Sequence, residues 1–174
     1  YDGTTTWLGT NLQVSGVNGE TFSATSINAG LLATKHVQTA QSLVSLDGLE
    51  LAGVVSNGYT PLLSNYNPLT VAQTSVTVTP RILNLIAPNV SKVYDANLFY
   101  EVKPGDLDDL TLQLSSGDRV TSAQMAFTDK DAGENKTVQL NAAAIDDGNG
   151  GNNYQVTRVS STQGVITPAP LVIR

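Results

Sequence analysis

Apolar and polar residues alternate along much of this chain. In Leu110-Thr111-Leu112-Gln113-Leu114 the leucines fall on one face of an extended backbone, and in Ala123-Gln124-Met125-Ala126-Phe127 the larger side chains do the same. Leu49-Glu50-Leu51 and Val76-Thr77-Val78-Thr79 carry the same period in the first half. Successive side chains point to opposite faces of a strand, so these segments predict half-buried strands. Turn residues punctuate them at Val17-Asn18-Gly19, Leu46-Asp47-Gly48, Ser56-Asn57-Gly58, Ser116-Gly117-Asp118 and Asp147-Gly148-Asn149-Gly150-Gly151. Ala29 to Leu46 is the one candidate helix, and its Thr34, Val37, Thr39 and Val44 argue against it, because β-branched side chains lose torsional freedom in a helix. Asp106-Leu107-Asp108-Asp109 reads as a solvated loop.

The chain also repeats itself. Tyr1-Asp2-Gly3 returns as Tyr94-Asp95-Ala96, displaced by 93, while Asn65-Tyr66 returns as Asn153-Tyr154 and Thr79-Pro80 as Thr167-Pro168, each displaced by 88. A unit this long is a whole domain, so the pattern predicts modules in tandem rather than a solenoid. Arg81-Ile82-Leu83-Asn84-Leu85 follows the first Thr-Pro, and Leu171-Val172-Ile173 begins a similar strand after the second. The expected division is therefore residues 1–80 as a first repeat lacking its initial strand, 81–168 as a complete second repeat, and 169–174 as the start of another. Pro88, Pro168 and Pro170 lie near the junctions, where they stiffen a linker. A chain that starts inside a motif is expected to be a fragment of something longer. The expected fold is all-β, two Ig-like Greek-key sandwich modules end to end, with a β-grasp-like α+β module as the alternative.

Composition narrows the function classes. Aromatic residues are only 6 % against 40 % hydrophobic, so each core must rest on aliphatic side chains with one or two rings. The net charge of −6 and the lack of any basic cluster disfavour nucleic acid and anionic lipid. There is no cysteine, hence neither disulfide nor thiolate metal site, and no apolar run approaches the ~20 residues of a membrane span. His36 is the only histidine, no Gly-x-Ser-x-Gly elbow accompanies it, and no phosphate-binding glycine motif is present, so the expectation is no enzyme activity.

Lys92-Val93-Tyr94-Asp95, Thr128-Asp129-Lys130-Asp131-Ala132-Gly133-Glu134-Asn135-Lys136-Thr137-Val138, Asn153-Tyr154 and Val165-Ile166-Thr167-Pro168 together resemble the YDG and MBG-type repeats of large bacterial surface and secreted adhesins. The first repeat keeps Tyr1-Asp2-Gly3-Thr4-Thr5, Asn65-Tyr66 and Val78-Thr79-Pro80, with Ala29-Gly30 and Lys35-His36-Val37 as the echo of the middle motif. The second departs at Ala96, which stands in place of the motif glycine. The resemblance implies a non-catalytic stalk or spacer module, extracellular on a bacterial surface or secreted, with neighbouring repeats of the same polypeptide as partners and a role in cell adhesion or biofilm formation. A module that binds glycan or exopolysaccharide is the alternative.

Several residues carry candidate chemistry. Asp129, Asp131 and Glu134, in an Asp-x-Asp-x-Gly-Glu run, and Asp146 with Asp147 before glycines, offer the closely spaced oxygens that Ca²⁺ requires; the competing reading is turns in which Asp caps backbone amides. Trp7 is the candidate for sugar stacking, against a core role that its large surface favours. Tyr66 and Tyr154 fit either corner tyrosines or core rings, and Tyr1 and Tyr94 fit packing at a domain junction. Asn89-Val90-Ser91 and Asn135-Lys136-Thr137 match the glycosylation sequon and are expected to be incidental.

Overall fold

The computed structural model describes residues 1–7, 12–25 and 31–173, and the chain is mostly β, with 43 % strand against 10 % helix. It divides into two compact units, Thr4–Thr79 and Tyr1–Gly3 together with Pro80–Arg174. The opening tripeptide thus folds with the second half of the chain.

In the Thr4–Thr79 unit, β1 (Val14–Ser15), β2 (Thr21–Thr25) and β4 (Glu50–Gly53) make a three-stranded antiparallel sheet, and β3 (Gln38–Gln41) pairs with β5 (Val76–Val78). The β1–β2 turn is the Val17-Asn18-Gly19 signal, with Asn18 at φ 53° and Gly19 at φ 77°. Phe22, Ala24, Leu32, Leu43, Val76 and Val78 are buried. No helix forms between Leu31 and Leu46, where β3 and bends stand instead; Ala29 and Gly30 lie outside the described residues.

The Pro80–Arg174 unit comprises β6 (Arg81–Ile86), β7 (Ser91–Val93), β8 (Phe99–Tyr100), α1 (Pro104–Thr111), β9 (Arg119–Phe127), β10 (Gly133–Asp146), β11 (Tyr154–Val159) and β12 (Ser161–Thr167). Its five-stranded sheet runs β7-β12-β10-β9-β8, and β6 pairs with β11 in a separate ladder. Both ladders that join the opening of the unit to its close, β6–β11 and β7–β12, are parallel. That arrangement is reached by the whole intervening chain acting as a crossover, since parallel neighbours are not joined by a tight hairpin. Between the ladders Asn89 holds the break, accepting from Ser161 Oγ at 2.6 Å and donating to Gln163 at 3.0 Å. Leu171–Ile173 pairs with no strand among the described residues, contrary to the strand expected there.

The strand expected at Leu110–Leu114 is instead the end of α1 and the turn after it, and the loop expected at Asp106–Asp109 is the middle of that helix. Pro104 supplies a preset φ in the first turn, and Asp106 accepts the Lys103 N–H at 2.8 Å. Leucines at 110, 112 and 114 satisfy a period of two, but 107, 110 and 114 satisfy the helical period. Leu110 is wholly buried, Leu107 and Leu114 pack beside the core, and Leu112 is 82 % exposed. Burying Leu110 under β9 with that cap in place outweighs one exposed leucine, which the surface tolerates.

One core holds this unit together. Leu83 and Leu85 from β6, Leu110 from α1, Val120, Met125 and Phe127 from β9, Val138 and Leu140 from β10, and Ile166 from β12 are its centre. The two units also share a detail no motif announces. Each has a strand irregularity with a non-glycine residue at positive φ, Ala40 at 50° within β3 and Asn135 at 54° within β10, and in each the bulge faces the strand that precedes Thr-Pro.

Candidate functional site

The most developed polar constellation in each unit is a tyrosine set against a four-residue turn. In Val17-Asn18-Gly19-Glu20 the Glu20 N–H donates to the Val17 carbonyl at 3.1 Å, and in Ser115-Ser116-Gly117-Asp118 the Asp118 N–H donates to Ser115 at 3.1 Å. Gly19 (φ 77°) and Gly117 (φ 89°) supply the left-handed residue. The first N–H of each turn donates to a tyrosine hydroxyl, Val17 to Tyr66 at 3.0 Å and Ser115 to Tyr154 at 2.8 Å. The hydroxyl in turn donates to the carboxylate that ends the turn, Tyr66 to Glu20 and Tyr154 to Asp118, the latter at 2.6 Å. Both tyrosines make a corner, which ties a turn to a strand or loop far along the chain, and Tyr154 is at the same time a buried core ring, so for it the two readings hold together. The hydrogen bond to Glu20, then burial, raises the pKa of Tyr66; burial, then Asp118, raises that of Tyr154.

The second corner carries a third ring. Tyr1 donates to Asp118 Oδ2 at 2.7 Å and meets Tyr154 edge-on, ring centroids 5.4 Å apart. Gly3, at φ 86°, lies so close that a Cβ there would sit 3.0 Å from the Cβ of Ser115. Asp118 is 5 % exposed, so two hydroxyls satisfy a carboxylate largely removed from water. Tyr154→Phe keeps the ring and leaves the Ser115 N–H and Asp118 each one partner short. A loss of about 2 kcal/mol, measured by urea unfolding, is expected; an unchanged midpoint would mean the corner is ornamental.

The acidic turns divide between the two ends of β10. Asp129 accepts from the Asp131 N–H at 2.9 Å and pairs with Lys136, which holds its carboxyl below the usual range, and Glu134 is exposed at the start of the strand. Asp146 pairs with Arg119 at 2.9 Å at the far end. Asp147, only 2 % exposed, accepts from the backbone N–H groups of Asn149 and Gly151, each at 2.8 Å, and of Asn153 at 3.0 Å. Twelve residues of strand separate Glu134 from Asp146, about 40 Å if straight, so the two groups do not meet. No cluster of three or more metal-ligating side chains occurs among the described residues. The first unit repeats the Asp129 turn with a hydroxyl, the His36 N–H donating to Thr34 Oγ1 at 3.2 Å. Millimolar Ca²⁺ is therefore expected to leave the melting curve superimposable on that with chelator, and a clear upward shift would restore calcium.

Trp7 is partly buried on the wall of an open cavity of about 640 Å³ that it shares with Leu12, Val14, Leu69, Thr74 and Val76. Its indole Nε1 is buried without a hydrogen-bond partner among the described residues. Counted with the same displacement as Tyr1 and Tyr94, Trp7 matches Tyr100, a buried core ring, and Leu8 beside it lies outside the described residues. Tyr100 donates to Asp106 at 3.0 Å, and burial followed by that carboxylate pushes it up to about 12. His36 is partly buried in the Thr34 turn. Sequence reasoning missed Glu20, Asp118 and Ser115, although Gly19-Glu20 and Gly117-Asp118 each pair a glycine with an acid just before a strand.

These features define β-rich units, each carrying a tyrosine corner. Residues 79–163 match the YDG domain family. A search of curated proteins found no match, and neither did one of solved structures. No helix among the described residues is long and apolar enough to cross a membrane.

Proposed function

We propose that this chain is a non-catalytic stalk or spacer module of a bacterial cell-surface adhesin, which extends a distal binding domain in cell adhesion or biofilm formation. The observation that carries the reading is the same tyrosine corner built twice, once per unit, from turns whose sequences share only glycine and acid. Duplicated internal ties suit a part whose task is to persist and to add length. The YDG match to residues 79–163 supports it, and so do acidic turns whose carboxylates are engaged by their own backbone or by a neighbouring cation. The proposed arrangement is the end-to-end pair of Ig-like sandwich modules, with the β-grasp module as competitor; an extended particle in solution scattering is its expected signature. Surroundings are extracellular, and the partners are neighbouring repeats.

Display on a bacterial surface tests the function. A binding domain fused to one, two or four copies of the chain should capture a bulky, surface-shielded ligand more efficiently as copies are added, and equal capture at every length would sink the spacer. The open cavity beside Trp7 favours a second reading, a glycan- or exopolysaccharide-binding module. Glycan binding by the chain alone, abolished by Trp7→Ala with folding intact, would replace the first reading with this one.

A further inference from the structure

Tyr1-Asp2-Gly3 opens the chain, yet it is folded into the unit built by Pro80–Arg174. It is held there by three complementary features of the second corner. The Tyr1 hydroxyl shares Asp118 with Tyr154, the Tyr1 ring edge meets the Tyr154 ring, and Gly3 reaches the Ser115 side chain at a distance where a larger residue would crowd. Here a tyrosine, a turn and a residue without a side chain work together as a plug for a tyrosine corner.

A plug of the same pattern, with alanine in place of the glycine, is made again 93 residues later. Lys92 pairs with Asp95 at 2.8 Å and donates to the carbonyls of Asn97 and Phe99 at 2.6 and 2.9 Å, and Asp95 accepts the Asn97 N–H at 3.0 Å. That network holds Ala96 at φ 64°, the left-handed conformation that Gly3 adopts at 86° and that is strained for an alanine. Tyr94 is partly buried beside the core, with Lys130 6.0 Å from its ring centre, but its hydroxyl has no hydrogen-bond partner among the described residues. A preset turn, a ring at its start and an unengaged hydroxyl reproduce the plug and lack only the corner.

We infer that Tyr94-Asp95-Ala96 is a docking surface for the tyrosine corner of a further copy of the Pro80–Arg174 unit, with the Tyr94 hydroxyl donating to that copy's Asp118. The partner follows from the chemistry already seated on Asp118, since the corner accepts a tyrosine hydroxyl and a residue at positive φ in this chain. Ala96 brings a Cβ to the position where one on Gly3 would lie 3.0 Å from Ser115 Cβ, so seating this plug requires the Ser115 side chain to give by a few tenths of an ångström. The inference rests on the spacer reading for its partner, a neighbouring repeat, and adds the residues that join them.

The test uses the full chain extended by a second copy of residues 81–174 after Pro168. With no native cysteine, Ala96→Cys in the original copy and Ser115→Cys in the added one form an isolated pair, within reach of a disulfide if the plug seats. Mild oxidation should cross-link this pair at least about tenfold faster than a control pair of Ala96→Cys with Asp109→Cys in the added copy. Equal rates overturn the inference. A second reading avoids cysteine: Tyr94→Phe should leave the melting of the unextended chain unchanged and lower that of the extended chain by roughly 4 to 8 °C. No difference between the two chains also overturns it. If display remains length-dependent while both readings fail, the spacer stands and the docking falls; if both succeed while display is flat, repeats dock but do not act as a spacer.

Discussion

Asp147→Ala is expected to cost the Pro80–Arg174 unit about 3 kcal/mol or more, the largest effect of any single polar substitution in it. The carboxylate lies beneath the loop before β11 and collects three backbone N–H groups, from Asn149, Gly151 and Asn153. Asn153 is wholly buried and also donates through Nδ2 to the Asp147 carbonyl at 3.3 Å. Alanine leaves these donors facing a dry space, and buried unpaired amides carry their full desolvation cost. The neighbour of Asn153 is Tyr154, so the loss should spread to the corner. In thermal melts a fall of about 12 °C is expected for a unit of this size. A shift of only a degree or two would mean that water replaces the carboxylate, and would remove the loop from the list of determinants.

The same residue makes stability depend on acid. Burial pushes the Asp147 pKa up, but the three N–H donors outweigh it and the net shift is downward. A carboxyl lowered in the folded state adds stability above the unfolded value near about 3.9, and loses it as pH falls through the folded value. Melting temperature should therefore fall steeply below about pH 4, with Asp129 and Asp95, lowered by Lys136 and Lys92, contributing in the same direction. Asp147→Asn should flatten that limb of the profile, and an unchanged profile would assign it to other groups.

Gly164→Ala is the second large effect, at about 2–3 kcal/mol of destabilisation. A Cβ on Gly164 would lie 2.5 Å from Val138 Cγ2, 2.7 Å from Phe127 Cε1 and 2.9 Å from the Lys136 carbonyl oxygen. The two side chains are among the most buried in the unit, and the carbonyl belongs to the bulge where Lys136 faces Gly164. None can withdraw cheaply from a packed interior. Phe127→Leu removes one of the three obstacles, so the double variant should be less unstable than the sum of the singles by about 1 kcal/mol, a coupling expected only of residues in contact. Strict additivity would show that the strain is carried by the backbone alone. Gly105→Ala, with open space around it, should be tolerated.

How much of this was legible beforehand depended on the range of the interaction. Val76-Thr77-Val78 and Ala123 to Phe127 declared themselves through their own alternation, and Asn18-Gly19 and Asn57-Gly58 through residues that accept positive φ. Leu110 to Leu114 misled because leucine spacing fitted two periods, and the deciding partners, β9 beneath and Asp106 at the cap, lie outside the window. Asp129 and Asp147 were visible as acidic turns, but their engagement by Lys136 and by three amides required the folded backbone.

From its sequence by itself this protein is a cysteine-free, acidic, β-rich chain with a domain-sized repeat, because composition, period-two patterning and recurring dipeptides are local properties that survive without coordinates. Only the tertiary structure decided that β6 and β7 return in parallel beside β11 and β12, that Tyr66 and Tyr154 close equivalent corners, and that Tyr1 belongs with Asp118. Each of those joins residues from 36 to 117 positions apart. Such pairings depend on which buried groups must find partners once the core has formed, and a linear pattern does not encode that choice.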